Sequence, residues 1–208
     1  MFNEREFVFG DVHIHIIELS DFVEENYLHL LNEQEKKRFE TFILPKRRKE
    51  FVATRFLKEQ LFPGTQIQYN ELGAPFLNNS IHISISHSPN HVGIAFCKTH
   101  KIGFDLEQIR EKVHRIKHKF LHEEEYKNVD TEDTETLIKI WSGKEALFKL
   151  AGVENVPFAT DLIVLPVENE RWRGQIMHDE ICSSLKMAIF TQDDYVISIN
   201  LTDVQETF

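Results

Sequence analysis

The chain has 208 residues, 41% hydrophobic and 28% charged, which is apolar material enough for one sizeable domain or two small lobes with a shared core. A formal net charge of −10 excludes a general nucleic-acid binder, whose phosphate contacts need clustered Lys and Arg. Two cysteines, Cys97 and Cys182, are too few for a disulfide framework or a zinc cage. The first residues read as no leader and no apolar run approaches the roughly eighteen residues of a membrane span, so a soluble, cytoplasmic protein is expected.

In chain order, the alternating run Val12-His13-Ile14-His15-Ile16 predicts a first strand, followed by helices from about Asp21 and over 46–61. After the Pro63-Gly64 break come a strand near 65–69, a turn at Gly73-Ala74-Pro75, and strands near 81–87, 91–97 and 101–107. Helical periodicity returns at 111–129 and 134–151, where Gly152 marks the stop, and strands are expected at 161–167, 171–177, 185–191 and 195–201. The order predicts an α+β protein of two similar lobes, 1–103 and 104–208, with antiparallel sheets. An offset of 90 residues overlays Leu31-Asn-Glu33-Gln-Glu35-Lys-Lys37 on Leu121-His-Glu123-Glu-Glu125-Tyr-Lys127, Phe51 on Trp141 and Leu57 on Leu147, as an internal duplication would.

Local charge departs from the total. Residues 45–58 hold six cations against Glu50 alone, and residues 110–119 hold five against Glu111. Each run suits an anionic ligand or an acidic partner, and each also suits a solvated helix face.

Three segments carry candidate chemistry. In Lys101-Ile-Gly-Phe-Asp105-Leu-Glu107, strand alternation points Asp105 and Glu107 one way and Ile102, Phe104 and Leu106 into the core. Paired carboxylates on a rigid strand suit a hard cation, and Gly103 would admit a ligand to the backbone; a half-exposed strand shows the same alternation. On the helix over 134–151, the row Leu137, Trp141, Glu145, Phe148 is interrupted by a carboxylate that needs a partner, and Lys149 one turn on is a candidate. In Ile81-His-Ile-Ser84-Ile-Ser86-His87-Ser88, the serines share one face. Ser86 and His87 point oppositely, so a hydrolase dyad is disfavoured and a hydrogen-bonding platform for a polyanion fits better. His13 and His15 also share a strand face, but without a third ligand at useful spacing an exposed face is preferred to a zinc site.

Together, Ser86-His87-Ser88, Gly103-Phe-Asp105-Leu-Glu107 and Trp141-Ser-Gly-Lys144-Glu145-Ala146 resemble, in order and spacing, the motifs of the phosphopantetheinyl transferases, in their two-lobed, pseudo-twofold, synthetase-activating type. The resemblance implies a monomeric enzyme that moves the phosphopantetheine arm of coenzyme A to a serine of an acyl or peptidyl carrier protein and releases 3′,5′-ADP. It implies Mg²⁺ held by Asp105, Glu107 and Glu145, with Glu145 as base and Lys149 facing the leaving group. It implies coenzyme phosphates held by Arg38, Arg48, Ser86 and His87, and an acidic carrier meeting the basic run at 110–119. The family's Gly-Lys-Pro turn is Gly73-Ala74-Pro75 here, which removes a phosphate contact. Two rival readings are an impaired member that only binds carrier proteins and an unrelated Mg²⁺-dependent phosphohydrolase.

Overall fold

The computed structural model describes residues 3–168, 170–178 and 181–203. The outer ends of both expected lobes, 1–2 and 204–208, lie outside the described residues.

The first half opens with a hairpin of β1 (Glu4–Phe9) and β2 (Val12–Glu18). β1 is a strand the apolar pattern does not announce, because it is an edge strand with exposed and half-buried residues alternating. The helix expected from Asp21 is a three-ten segment, 24–30: Val23 offers it no capping side chain and none of its residues is buried, so nothing extends it. A true helix starts later, α1 (Glu33–Thr41), where Asn32 and Glu35 form a reciprocal capping box. α2 (Pro45–Leu61) begins on its proline and lays Phe51, Val52, Phe56 and Leu57 against the sheet residues Ile17, Ile83 and Ile94. A small ribbon, β3 (Ile67–Tyr69) with β4 (Pro75–Leu77), carries the Gly73-Ala74-Pro75 turn. β5 (His82–His87) and β6 (His91–Cys97) complete an antiparallel sheet of order β1-β2-β6-β5.

The second half starts with β7 (Phe104–Gln108), at the margin of the other sheet. The expected helix over 111–129 is divided into three-ten turns at 111–115 and 117–119 and a short α3 (Glu123–Asn128), which begins at a second capping box, His122 with Glu125. The charged run 110–119 lacks an apolar stripe, burying Val113 alone of its residues, so no face is available to hold a continuous helix down. α4 (Thr134–Ala151) runs from its cap Asp133 to Gly152, whose positive φ of 60° ends it at the expected residue. After the one-turn α5 (Phe158–Asp161) come β8 (Leu162–Glu168), β9 (Arg171–His178), β10 (Ile181–Gln192) and β11 (Tyr195–Asn200), in an antiparallel sheet of order β7-β11-β10-β9-β8. α4 packs Ile140 and Leu147 on Val164, Ile176 and Ile189 of that sheet.

The fold is therefore α+β, with two antiparallel sheets that each carry helices. Both boxes sit 90 residues apart, and each sends its acid to a buried cation of the next long helix: Glu35 to Arg55 at 2.9 Å and Glu125 to Lys144 at 2.8 Å. The sheets meet through Val12, Ile14, Ile16 and Ala95 on one and Phe104, Leu106, Ile197 and Ile199 on the other. Among the described residues no helix is long and apolar enough to cross a membrane.

Candidate active site

The seam between β5 and β7 is closed by serines rather than by a backbone ladder. Ser84 Oγ accepts from the N–H of Phe104 at 3.0 Å, and Ser86 Oγ accepts from the N–H of Leu106 at 3.1 Å. Ser86 donates to Asp105 Oδ1 at 2.9 Å and accepts from Lys149 Nζ at 3.0 Å, so its one proton and two lone pairs are all engaged. The serine face is thus buried at the seam, not a solvent-facing platform, because β7 covers it. Lys149 Nζ also donates to Asp105 Oδ1 at 2.8 Å and to the carbonyl of Phe104 at 2.8 Å. The lysine's partner is Asp105 on β7, not Glu145 one turn back on its own helix.

Gly103 has a different use from the expected one. A Cβ built there would stand 1.9 Å from the carbonyl oxygen of Ala146 and 2.9 Å from Cβ of Leu150. The body that approaches this backbone is α4 itself, and the close approach brings Glu145 and Lys149 beside β7. Trp141 contributes by donating from its indole nitrogen to Glu107 Oε1 at 2.9 Å, which fixes that carboxylate.

Asp105, Glu107 and Glu145 are close enough to feel one another. Burial pushes Glu145 up to about 7, and the charges of Asp105 and Glu107 add to this while Lys149 opposes it. Burial and the Asp105 charge also hold Glu107 above the usual carboxylate range, against the Trp141 hydrogen bond. One atom bears directly on a cation: Asp105 Oδ2 is buried and has no hydrogen-bond partner. An orphaned carboxylate oxygen among two further acids is an all-oxygen donor set of the kind Mg²⁺ takes, so the residues fit the ion in their donor chemistry. Among the described residues, the group of three candidate ligands with atoms within 4.8 Å of one another is instead Glu6, His13 and His15; the three acids stand wider apart than that.

A cleft of about 300 Å³ lies between α1, α2 and the β3–β4 turn, lined by Arg38, Arg47, Arg55, Glu50, Tyr69 and His87. His87, exposed here, accepts from Arg47 at 2.7 Å on Nε2. Arg38 lies over the Tyr69 ring at 4.9 Å. Arg48 does not line this cleft: its Nε donates to the carbonyl of Phe42 at 2.8 Å, and its guanidinium lies over Phe39. Arg47, its neighbour, and Arg55 line it instead; helix phase decides between adjacent arginines, and the basic run 45–58 was the available signal. Gly73, Pro75 and Ile85 also line a second groove of about 280 Å³ with Ser84, Phe148 and Lys149. Phe148 in turn lines a third groove of about 460 Å³ with Ile116, Lys119, Trp141, Glu145 and Phe158.

Residues 101–200 match the family model described as the 4′-phosphopantetheinyl transferase superfamily. Over these residues, just under half of the chain, it is similar to that superfamily. The matched span holds Asp105, Glu107, Glu145 and Lys149, while the arginine cleft precedes it. The chain is also similar to the 4′-phosphopantetheinyl transferase gsp of Aneurinibacillus migulanus, at 34% identity over 110 residues, which are 50% of this chain and 46% of the relative. The match thus spans about half the length of that relative.

Proposed function

We propose that this chain transfers the 4′-phosphopantetheine group of coenzyme A to a serine hydroxyl of an acyl or peptidyl carrier protein. The observation that carries the proposal is the buried, unpartnered Oδ2 of Asp105 near Glu107 and Glu145, with Glu145 lining one groove and Lys149 another, and with lining residues shared from groove to groove and on to a cleft of three arginines. An elongated ligand with anionic groups at one end and an amide arm at the other matches this run. Arg38, Arg47, Arg55 and His87 bind the nucleotide phosphates; Arg48 has no place in this reading. Lys149 lies where the second groove begins, and Trp141, Phe148 and Phe158 supply an apolar wall for the arm.

In the reaction the carrier serine oxygen forms a bond to the β-phosphorus, and the bond from that phosphorus to the oxygen bridging to the α-phosphate breaks. The proton passes from the serine hydroxyl to Glu145, directly or through a water, and 3′,5′-ADP leaves. A carboxyl group raised to about 7 suits this task, since near neutral pH its ionised fraction is available and is basic enough to take the serine proton. Lys149 stabilises the charge gathering on the departing oxygen, and Ser86 positions both Lys149 and Asp105 through its three hydrogen bonds. Asp105, Glu107 and Glu145 would hold Mg²⁺, which when bound neutralises the pyrophosphate against three carboxylates. Exposed Lys112, Arg115 and Lys119 beside the third groove suit an acidic carrier.

The test is incubation with Mg²⁺, fluorescent coenzyme A and apo carrier proteins. Label on the carrier that disappears with chelator, and that Glu145→Gln reduces by about three orders of magnitude, is the expected result. Failure to label several carriers overturns the proposal, and phosphate release from coenzyme A alone points to hydrolysis instead.

A further inference from the structure

The hairpin that opens the chain carries a second group of metal-ligating side chains, remote from the acids of the seam. Glu6 on β1 is directly opposite His15 on β2, and His13 lies two residues back on the same face. One oxygen, Glu6 Oε1, is 3.4 Å from His15 Nε2 and 3.7 Å from His13 Nδ1, and the three ligand atoms all fall within 4.8 Å of one another. The third ligand that the sequence spacing did not offer thus comes from the neighbouring strand.

The geometry distinguishes a metal site from an ordinary contact. Both separations exceed the 2.7–3.2 Å or so of a good N–H···O hydrogen bond, so the three groups face a common point without bonding well to each other. Ligands about 2.1 Å from a tetrahedral ion lie roughly 3.4 Å apart, which the His15 pair matches and the His13 pair exceeds by a few tenths of an ångström. The imidazoles are also held in place before any ion arrives. Phe96, opposite His13 on β6, stacks on the His13 ring at 4.9 Å and 5° and on the His15 ring at 5.9 Å and 11°. Phe62 packs on Phe96 in turn, edge-on at 5.0 Å. The two stacked imidazoles therefore lose little rotamer freedom on binding, and Glu6 is the one ligand that must be ordered.

We propose that Glu6, His13 and His15 form a second cation site, selective for a borderline transition-metal ion such as Zn²⁺, that ties β1 to β2. Two nitrogens and one oxygen favour such an ion over Mg²⁺, which takes oxygen donors. Three protein ligands leave one position of a tetrahedral ion to water. None of the three residues lines the arginine cleft or the grooves beside Glu145, so this site is independent of phosphopantetheine transfer.

The experiment is calorimetric titration of the full chain, free of any affinity tag, with Zn²⁺ in millimolar Mg²⁺ so that the acids of the seam are already occupied. One saturable site is expected, with affinity lowered at least about tenfold in His15→Ala and in Glu6→Gln. Glu6 is exposed, so Glu6→Gln keeps the fold if the ligand reading is wrong, and circular dichroism checks this. Co²⁺ should give visible ligand-field absorption that both variants lose. No saturable binding, binding unchanged in both variants, or binding lost only on changing Cys97, whose sulfur lies 3.3 Å from His100, each overturns the proposal.

Discussion

Glu145 shows how far one carboxyl group can move when it is buried beside two others. The folded protein retains its proton up to about pH 7, whereas the unfolded chain releases it near the ordinary 4.5. Metal-free protein should therefore keep the full benefit of this group below pH 4.5 and lose it as pH rises toward and through 7, by up to about 3 kcal/mol before allowance for the part of the side chain that stays hydrated. Melting curves in chelator between pH 5 and 8 should fall for the native chain and stay flatter for Glu145→Gln, and Mg²⁺ should restore the native chain at pH 8. Parallel profiles would show that Glu145 does not titrate there. Ala74 is the second informative residue. It lines the groove that Lys149 also lines, where the family's lysine would add a cation. Ala74→Lys should lower the KM for coenzyme A by about threefold at low salt, with less effect at high salt because the position is partly solvated.

At the scale of elements, the position of α4 decides the site. Gly103 lets the helix backbone touch β7, and any side chain there must displace it, since the obstructing atom is a backbone oxygen. Gly103→Ala is expected to cost about 3 kcal/mol or more in denaturant unfolding and to lower transfer activity more than stability alone explains, because α4 carries both Glu145 and Lys149. The far side of α4 is anchored by Lys144, fully buried, which pairs with Glu125 and donates to the carbonyls of Phe120 and Phe158. Burial pushes the Glu125 carboxyl up and the Lys144 amine down, and each is drawn back by the other's charge. Lys144→Met leaves the acid uncompensated and should cost about 3–5 kcal/mol, while Lys144→Met with Glu125→Gln should cost less than the single change. Urea titrations of the three proteins decide this; a double variant weaker than the single one would refute the pairing argument.

For the whole molecule, local pattern and tertiary contact divide the information cleanly. The sequence by itself determined the α+β class, most strands, α2, α4 and its stop at Gly152, because alternation, helical stripes and caps act over a few residues. It also determined that Asp105 and Glu107 share a strand face whatever packs on them, and the 90-residue offset between the two capping boxes was legible in it. Only the tertiary structure decided what those groups meet. β1 needed its partner strand to be recognised, and with it came Glu6 as the third ligand beside His13 and His15. Ser84 and Ser86 became a buried seam when β7 covered them, Lys149 turned to Asp105 across that seam, and Arg47 and Arg55 rather than Arg48 entered the cleft. The seam contacts join residues 19 to 63 positions apart, the Glu6 contacts join two different strands, and the cleft depends on the phase of one helix against a sheet; none of these is written in the spacing of neighbouring residues.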